Sequence, residues 1–574
     1  MMMVKQALNA RMQVRGLVKG YGACADNRPV QGLRQGLRMK RPVGWVISVC
    51  MVFLVSLGGC NLVPDYHRPD FPVAQNWPIG PAYGPALLND AGKPGVETIG
   101  WKAFFHDPVL IRLIEISLRN NRDLRVATEN IISQRSAYQY QRGELFPTIS
   151  GQFSASYATY PGSTLSSSST TVHWNRLQTG FGISNYQIDL FDHVRSLTEQ
   201  AFEEYMAQIN TRMSVQISLM TQVTNAYLTW IADRESLRVI QGTVENRAKN
   251  LDLVSSLLRY GQQTGQARAE AQEAYQQAKS QEMQYTRQVA LDMNNLVLLL
   301  GTNPPPPLLA QMEQVTSLQQ VEPFPPLPQG VPSQLLQRRP DIRAAEHQLL
   351  AANANIGYVR SQFYPSILLS TASVGTGGTQ FAQFFKKHSL IWQLAPTVSL
   401  PIFTAGQNVA GLEQAKAEQR VAVAQYQKAV QTAFREVADA LASRHTYSQQ
   451  IGFDQERVVA SHTDYTLSRA RFLNGVDSFL NTLVAQNTYL TNQLTLIQSR
   501  LQYKNSLSTL YTALGGGWTV SEEMPIPNAR AVNDPKGPVQ NTATPPQSVK
   551  AVDSGLATHG QAVNLQPLTG QKSQ

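Results

Sequence analysis

Residues that are nearly all apolar recur along this chain in steps of three and four. One run is Val423, Tyr426, Val430, Phe434, Val437 and Leu441, and a second is Leu480, Leu483, Asn487, Leu490, Leu494, Ile497 and Leu501. Such spacing is the seam of a coiled coil. Proline usage agrees, because none of the 32 prolines falls between Pro161 and Pro304 or between Pro401 and Pro525. A proline inside a helix removes a donor and clashes with the preceding turn. A helix from about residue 194 to about residue 258 would reach about 95 Å, roughly three times the hydrocarbon thickness of a bilayer. Its mixture of polar and apolar residues places it in water.

The period changes at the prolines of LFPTI and FYPSI. In TISGQFSASY (148–157), Ile149, Gly151, Phe153, Ala155 and Tyr157 alternate with Thr148, Ser150, Gln152, Ser154 and Ser156. This is an amphipathic strand. A second run, GFGISNYQIDLF (180–191), follows the Ser/Thr-rich loop GSTLSSSSTT (162–171), and residues 366–374 and 390–403 repeat the plan.

The chain is internally duplicated. DLRVATENIISQRSAYQYQRGELFPTI (123–149) and DIRAAEHQLLAANANIGYVRSQFYPSI (341–367) align without a gap at an offset of 218, with seven identities. The order of features continues, as YQIDLF (186–191) answers VSLPIF (398–403) and LVLLLG (296–301) answers LYTALGGGW (510–518). GTNPPPPLL (301–309) and VEPFPPLPQGVP (321–332) join the halves. Four strands in a membrane leave two open edges, and each unsatisfied backbone group in hydrocarbon costs several kcal/mol. Single-chain barrels start at about eight strands, so closure demands oligomerisation, with about eight strands from two copies or about twelve from three.

Residues 54–70, LVSLGGCNLVPDYHRPD, end an apolar stretch (Val43 to Leu57) that follows Arg34, Arg38, Lys40 and Arg41. That layout is a secretory leader, too short for a membrane span. Leu57-Gly58-Gly59-Cys60 resembles the lipobox of bacterial lipoproteins, which implies cleavage before Cys60, diacylglycerol on its thiol and an acylated amino terminus. Each buried methylene of such chains contributes about 0.8 kcal/mol. Diacylglycerol and palmitate on Cys60 are the only non-protein groups expected; no cofactor or metal is. Met39 begins a leader of ordinary length and is the expected translation start. The other two cysteines, Cys24 and Cys50, lie upstream, so no disulfide is available to the mature chain.

The leader also changes the charge. The whole chain carries +10, but residues 1–59 hold nine Lys/Arg and one acid, leaving 40 basic against 38 acidic residues. With no basic cluster in the remainder, nucleic acid is excluded as a partner.

The set of motifs CNLVPDYHRP, WKAFFHDPVLIRLIEISLRNNRDLRVA (101–127), YQIDLFDHVRSLTEQA (186–201), RRPDIRAAEHQLLAANANIGYVRSQFYPSI (338–367), PIFTAGQ (401–407) and ALGGGW (513–518) resembles the outer membrane efflux protein family. These are the TolC-like outer-membrane factors, here in their lipid-anchored branch, and the likeness covers about residues 60–520. It implies an α+β membrane protein: a long coiled-coil helical barrel plus four transmembrane β-strands per protomer, a homotrimer closing a twelve-stranded barrel. It implies the bacterial outer membrane, with its lipid, as location, a periplasmic helical extension, and a periplasmic adaptor and inner-membrane pump as partners. The expected organisation is a leader (1–59), a lipid-anchored segment (60–105), a first repeat (106–300, hairpin 148–191), a Pro-rich linker (301–332), a second repeat (333–518, hairpin 366–403) and a disordered tail (519–574), polar and Pro/Gln-rich.

In this family the helical hairpin tips form the entrance. SRARFLNGVDSFLNTLVAQNTYL (468–490) resembles the second tip, with Asn474, Gly475, Val476 and Asp477 as its turn and Leu480, Asn481 and Val484 on one face of the helix that follows. Family members often carry acids one turn apart there; this chain has Asn481 and Val484, leaving Asp477 as the nearby acid. In the first tip, LLRYGQQTGQARAEAQEA (257–274), the turn reads as shorter than usual, with Gly265 at the entrance.

Enzyme classes find no motif: the chain has no P-loop, G-x-S-x-G, H-E-x-x-H or C-x-x-C. His106 in FFHDP reads as structural. The expected function is therefore a passive outer-membrane exit duct for small molecules in a tripartite efflux pump. The alternatives are the outer-membrane channel of type I protein secretion and a structural coiled-coil lipoprotein.

Overall fold

The computed structural model describes residues 61–70, 72–74, 76–83, 99–160, 172–325, 327 and 339–517. Cys60, the leader with Met39, much of the proline-rich linker, Trp518 and the 519–574 tail lie outside the described residues.

Two short helices, α1 (Trp101–Phe104) and α2 (Pro108–Asn120), precede α3 (Arg122–Gly143). The HDP triplet explains where α2 starts. Asp107 accepts from the Val109 and Leu110 amides at 2.8 and 2.9 Å, and Pro108 occupies the first helical position, where no donor is needed. Then come β1 (Ile149–Tyr160), β2 (Val172–Ile188), α4 (His193–Arg259), α5 (Gly265–Leu300) and α6 (Pro306–Gln314). The second half supplies α7 (Pro340–Ser361), β3 (Ser366–Gly378), β4 (Leu390–Ser399), α8 (Gln407–Leu473) and α9 (Phe479–Ala513). The duplication is metrical: α3 and α7 have 22 residues each, α4 and α8 have 67 each, and α5 and α9 have 36 and 35. No helix among the described residues is long and apolar enough to cross a membrane.

Among the described residues the chain divides into two compact units, one of 61–67, Arg135–Glu204 and Leu349–Val421, the other of Arg68–Gln134, Tyr205–Gln348 and 422–517. The first holds the sheet. Its strands run in the order β1-β2-β3-β4, all antiparallel, leaving β1 and β4 as edges. The segment after Cys60 is tied to α7 in the same unit: Asn353 donates to the Pro64 carbonyl at 2.8 Å and Arg360 to that of Leu62 at 3.0 Å.

The second unit is centred on aromatic rings. Phe104 stacks on Tyr511 with centroids 4.0 Å apart, and Phe105 and Phe324 close around them. Tyr511 donates to the Ile99 carbonyl at 2.6 Å, so its buried hydroxyl is satisfied. Arg339 seals the end of α9. It donates to the Ala513 carbonyl at 2.8 Å and pairs with Asp341 and Glu436, both at 2.7 Å.

The seam of α8 is buried at Tyr426, Val430, Val437 and Leu441. That of α9 departs from the sequence expectation. Leu480 is 50 % exposed and Asn487 is exposed, whereas Phe479 and Gln486 are buried, so the seam runs 479, 483, 486, 490. Gln486 and Asn487 are both polar, so the apolar pattern alone does not say which of them enters the seam. Asn487 points elsewhere, accepting from the buried Arg247 guanidinium of α4, which also donates to the Ala274 carbonyl of α5 at 2.7 Å.

Candidate functional site

The sheet carries two chemically distinct faces. The register places Ile149, Ile183, Ala372 and Leu394 in one row, Gly151, Phe181, Val374 and Trp392 in the next, and Phe153, Thr179, Thr376 and Leu390 in a third. Phe153, Phe181, Trp392 and Leu394 are all more than half exposed. Leaving four such side chains in water is unfavourable by about 25 cal/mol for each Å² of apolar surface, so this face is built for an apolar surrounding. The opposite face presents Ser150, Gln152, Ser154, Gln178, Ser373 and Gln393 around a polar concavity of about 290 Å³. Glycines let that face curve: a Cβ on Gly180 would sit 2.7 Å from the Gly375 Cα across the strand pair. Asn185, with φ 55°, is left out of the β2–β3 ladder without changing its register, and the register shift of the sheet falls between β3 and β4, at Leu369/Thr371.

The two helical hairpins turn in the same way. α4 ends with Gly261 at φ 70°, its amide donating to the Leu258 carbonyl at 3.0 Å and that of Gln262 to Leu257 at 2.9 Å. α8 ends with Gly475 at φ 69°, its amide donating to Phe472 at 3.0 Å and that of Val476 to Arg471 at 3.0 Å. Both are Schellman motifs. Thr264 then caps α5 and Ser478 caps α9, each accepting from the amide three residues on. The two turns are therefore equal in length, and Gly265 lies at the first tip as the first residue of α5. Gly261 holds the left-handed position, and Gly265 opens α5, where a small residue meets no close neighbour.

At the second tip, Asn474 ends the helix by donating its side-chain amide to the Ala470 carbonyl at 2.8 Å, and Val476 is exposed. Asp477 gathers three donors: the Asn481 side chain at 2.6 Å, the Ser478 amide at 2.8 Å and Arg471 at 3.3 Å. Those bonds, that of Asn481 foremost, hold its carboxyl below the usual carboxylate range, so it stays ionised at neutral pH. Leu480, Asn481 and Val484 all lie on the exposed face of α9, with Val484 at 56 %. Opposite that face, Phe472, Phe479 and Leu483 pack with Val254 of α4 and Ala267, Ala271 and Ala274 of α5. Sequence reasoning missed this aromatic clasp and Arg471; the two phenylalanines flanking LNGVDS were the available signal.

Two arrangements resemble chemistry and are not. His193 Nδ1 lies 2.8 Å from Ser361 Oγ, but Asp189 spends both oxygens on the His193 and Arg195 amides, so the acid caps α4 instead of orienting the imidazole. His106 Nδ1 contacts only the Phe104 carbonyl, at 3.3 Å, and the described residues contain no metal-binding group of three or more side chains.

A strongly two-faced sheet with free edges, in a chain otherwise built of very long helical hairpins, defines an outer-membrane channel of the TolC-like class. Comparisons with known proteins agree. The outer membrane efflux protein family profile matches residues 113–302 and 331–516. The antibiotic efflux pump outer membrane protein ArpC and the toluene efflux pump outer membrane protein TtgC, both of Pseudomonas putida, are each 41 % identical over 483 residues, covering 84 % of this chain and 97 % of theirs. The open-state crystal structure of the MtrE outer membrane channel of Neisseria gonorrhoeae, 31 % identical, superposes with a TM-score of 0.68 over 80 % of this chain and 98 % of that one. This chain belongs to the outer membrane efflux protein family. It is a transport component of the outer membrane.

Proposed function

We propose that the chain is the passive exit duct of a tripartite pump for small apolar molecules, solvents and antibiotics among them. Three copies set β1 of one against β4 of the next, giving a twelve-stranded barrel with the apolar face to lipid and the polar face to the lumen. A periplasmic adaptor meets the hairpin tips and passes substrate from an inner-membrane pump, and acyl chains on Cys60 add an anchor. The supporting observation is the sheet itself: one apolar face, one polar face and two edges whose backbone groups need partners in hydrocarbon. The names of the relatives favour solvents and antibiotics over protein as cargo.

Cysteine pairs scanned along the two edges, starting with Ser154→Cys and Gln393→Cys, should give a covalent trimer on oxidation. A scan that yields no trimer refutes the closure. A strain lacking the chain should become sensitive to toluene and to antibiotics, and unchanged sensitivity would remove the small-molecule reading. Cys60→Ser should abolish palmitate labelling while leaving most transport intact, because the barrel itself holds to the bilayer. Labelled palmitate in the serine variant would refute the lipobox.

A further inference from the structure

The β3–β4 turn, GTQFAQFFKKHSL (378–390), is unlike an ordinary solvated hairpin loop. It is knitted in place. Gln383 Oε1 accepts from the Thr379 amide and hydroxyl at 2.9 and 3.2 Å, and the Phe384 and Lys386 amides donate to the Phe381 and Gln383 carbonyls at 3.1 and 3.0 Å. Ser389, buried, donates its hydroxyl to the Phe384 and Lys386 carbonyls at 2.9 and 2.7 Å. Phe384 is buried as the anchor of the turn, while Phe381 and Phe385 stand 64 % and 86 % exposed beside Lys386, Lys387 and His388, all exposed. The apolar row of the sheet leads into it through Trp392 and Leu390, 74 % and 66 % exposed.

Charge adds a second observation. From Leu145 to Ile188 and from Gln362 to Leu412 the sequence contains no Asp or Glu at all, whereas Arg176, Lys386 and Lys387 are present. A turn that only faced water would mix both signs. Aromatic side chains beside uncompensated cations, at the end of a membrane-facing strand, fit the boundary between acyl chains and anionic headgroups.

We infer that the 381–388 turn is a lipid-headgroup site, in which Lys386 and Lys387 bind the phosphates of a phosphorylated membrane lipid while Phe381 and Phe385 enter the acyl boundary. This rests on the proposed membrane embedding of the sheet. The platform is pre-ordered, so binding need not organise the loop first.

The test uses the full-length assembled protein in detergent, titrated with diphosphoryl lipid A and followed by native mass spectrometry. Lys386→Gln/Lys387→Gln should weaken lipid binding at least tenfold, the double arginine variant should retain it, and phosphatidylcholine should bind the wild type no better than it binds the glutamine variant. Equal lipid A affinity of wild type and glutamine variant overturns the site. Full competition by millimolar inorganic phosphate also overturns it, since the turn would then be a free-anion site. Urea extraction of native membranes is run in parallel: wild-type protein released by urea defeats the embedding reading, whereas protein that stays embedded and shows no lysine-dependent lipid binding defeats this inference alone.

Discussion

The clasp between the two hairpin tips can be weakened at one side chain. Phe479 is 3 % exposed, its ring lies 5.3 Å from that of Phe472, and both pack with Val254 and the alanines of α5. Phe479→Ala removes the ring and leaves a space that alanines on the facing helix are too small to fill. Buried Phe→Ala changes cost about 3–5 kcal/mol. The site sits beside a turn and can partly collapse, so the lower figure, about 3 kcal/mol, applies. At 1.36 kcal/mol per decade this raises local opening roughly 150-fold. Amide hydrogen exchange of the purified protein reads it directly, in peptides spanning 254–274 and 470–485. Acceleration near two decades is expected in both peptides, because the cluster draws on both hairpins. Leu480→Ala is the control: at 50 % exposure it should alter exchange less than threefold. If Phe479→Ala leaves both peptides within threefold of wild type, the cluster does not hold the tips together. Acceleration confined to 470–485 would mean that the second tip is held by its own cap and turn bonds and owes nothing to α5.

Three further substitutions probe other parts. Val484→Asp puts a second carboxylate near ionised Asp477, and in the proposed trimer these like charges would repeat around the axis and repel; single-channel recordings should show a leakier channel newly blocked by divalent cations, and unchanged traces would remove this face from the pore. Gly375→Val drives a side chain into the Thr179 carbonyl, with the Gly180 Cα 2.7 Å from its Cβ, so the β2–β3 pairing must shift at a cost of about 1–3 kcal/mol; less heat-resistant oligomer should be recovered from membranes, and a wild-type yield would contradict the close approach. Asp233 on α4, beside Asp292 of α5, has its pKa pushed up to about 7 by burial and by that neighbouring carboxyl. A folded pKa above the unfolded one means the native state holds the extra proton, so this group's contribution to stability is full below about pH 4 and is lost as pH rises towards about 7. Asp233→Asn should therefore flatten thermal stability across that window and raise it most at about pH 8; parallel melting profiles for the two proteins would refute the assignment.

What the sequence disclosed and what it hid follow from which interactions are periodic. The duplicated helix and strand lengths were legible because proline exclusion and the two hydrophobic periods act over tens of residues, and 67-residue helices leave a long signature. The hairpin tips were harder because they depend on single atoms. Tyr260-Gly261-Gln262-Gln263-Thr264-Gly265 offers two glycines, and composition alone does not say which one takes positive φ. The bond from the Gln262 amide to the Leu257 carbonyl selects Gly261, and Thr264 as the cap of α5 excludes Gly265 from the turn. Alignment with the second tip would have said the same, since Gly261 and Thr264 stand opposite Gly475 and Ser478 at the offset that relates α4 to α8. The seam of α9 failed for a different reason. The expected seam took Asn487 as a core position, but Gln486 is buried and the exposed Asn487 is held by Arg247 from the other hairpin. A polar residue recruited by a distant partner breaks the local pattern without breaking the helix, and at Asn487 the count fails where one hairpin is bonded to the other.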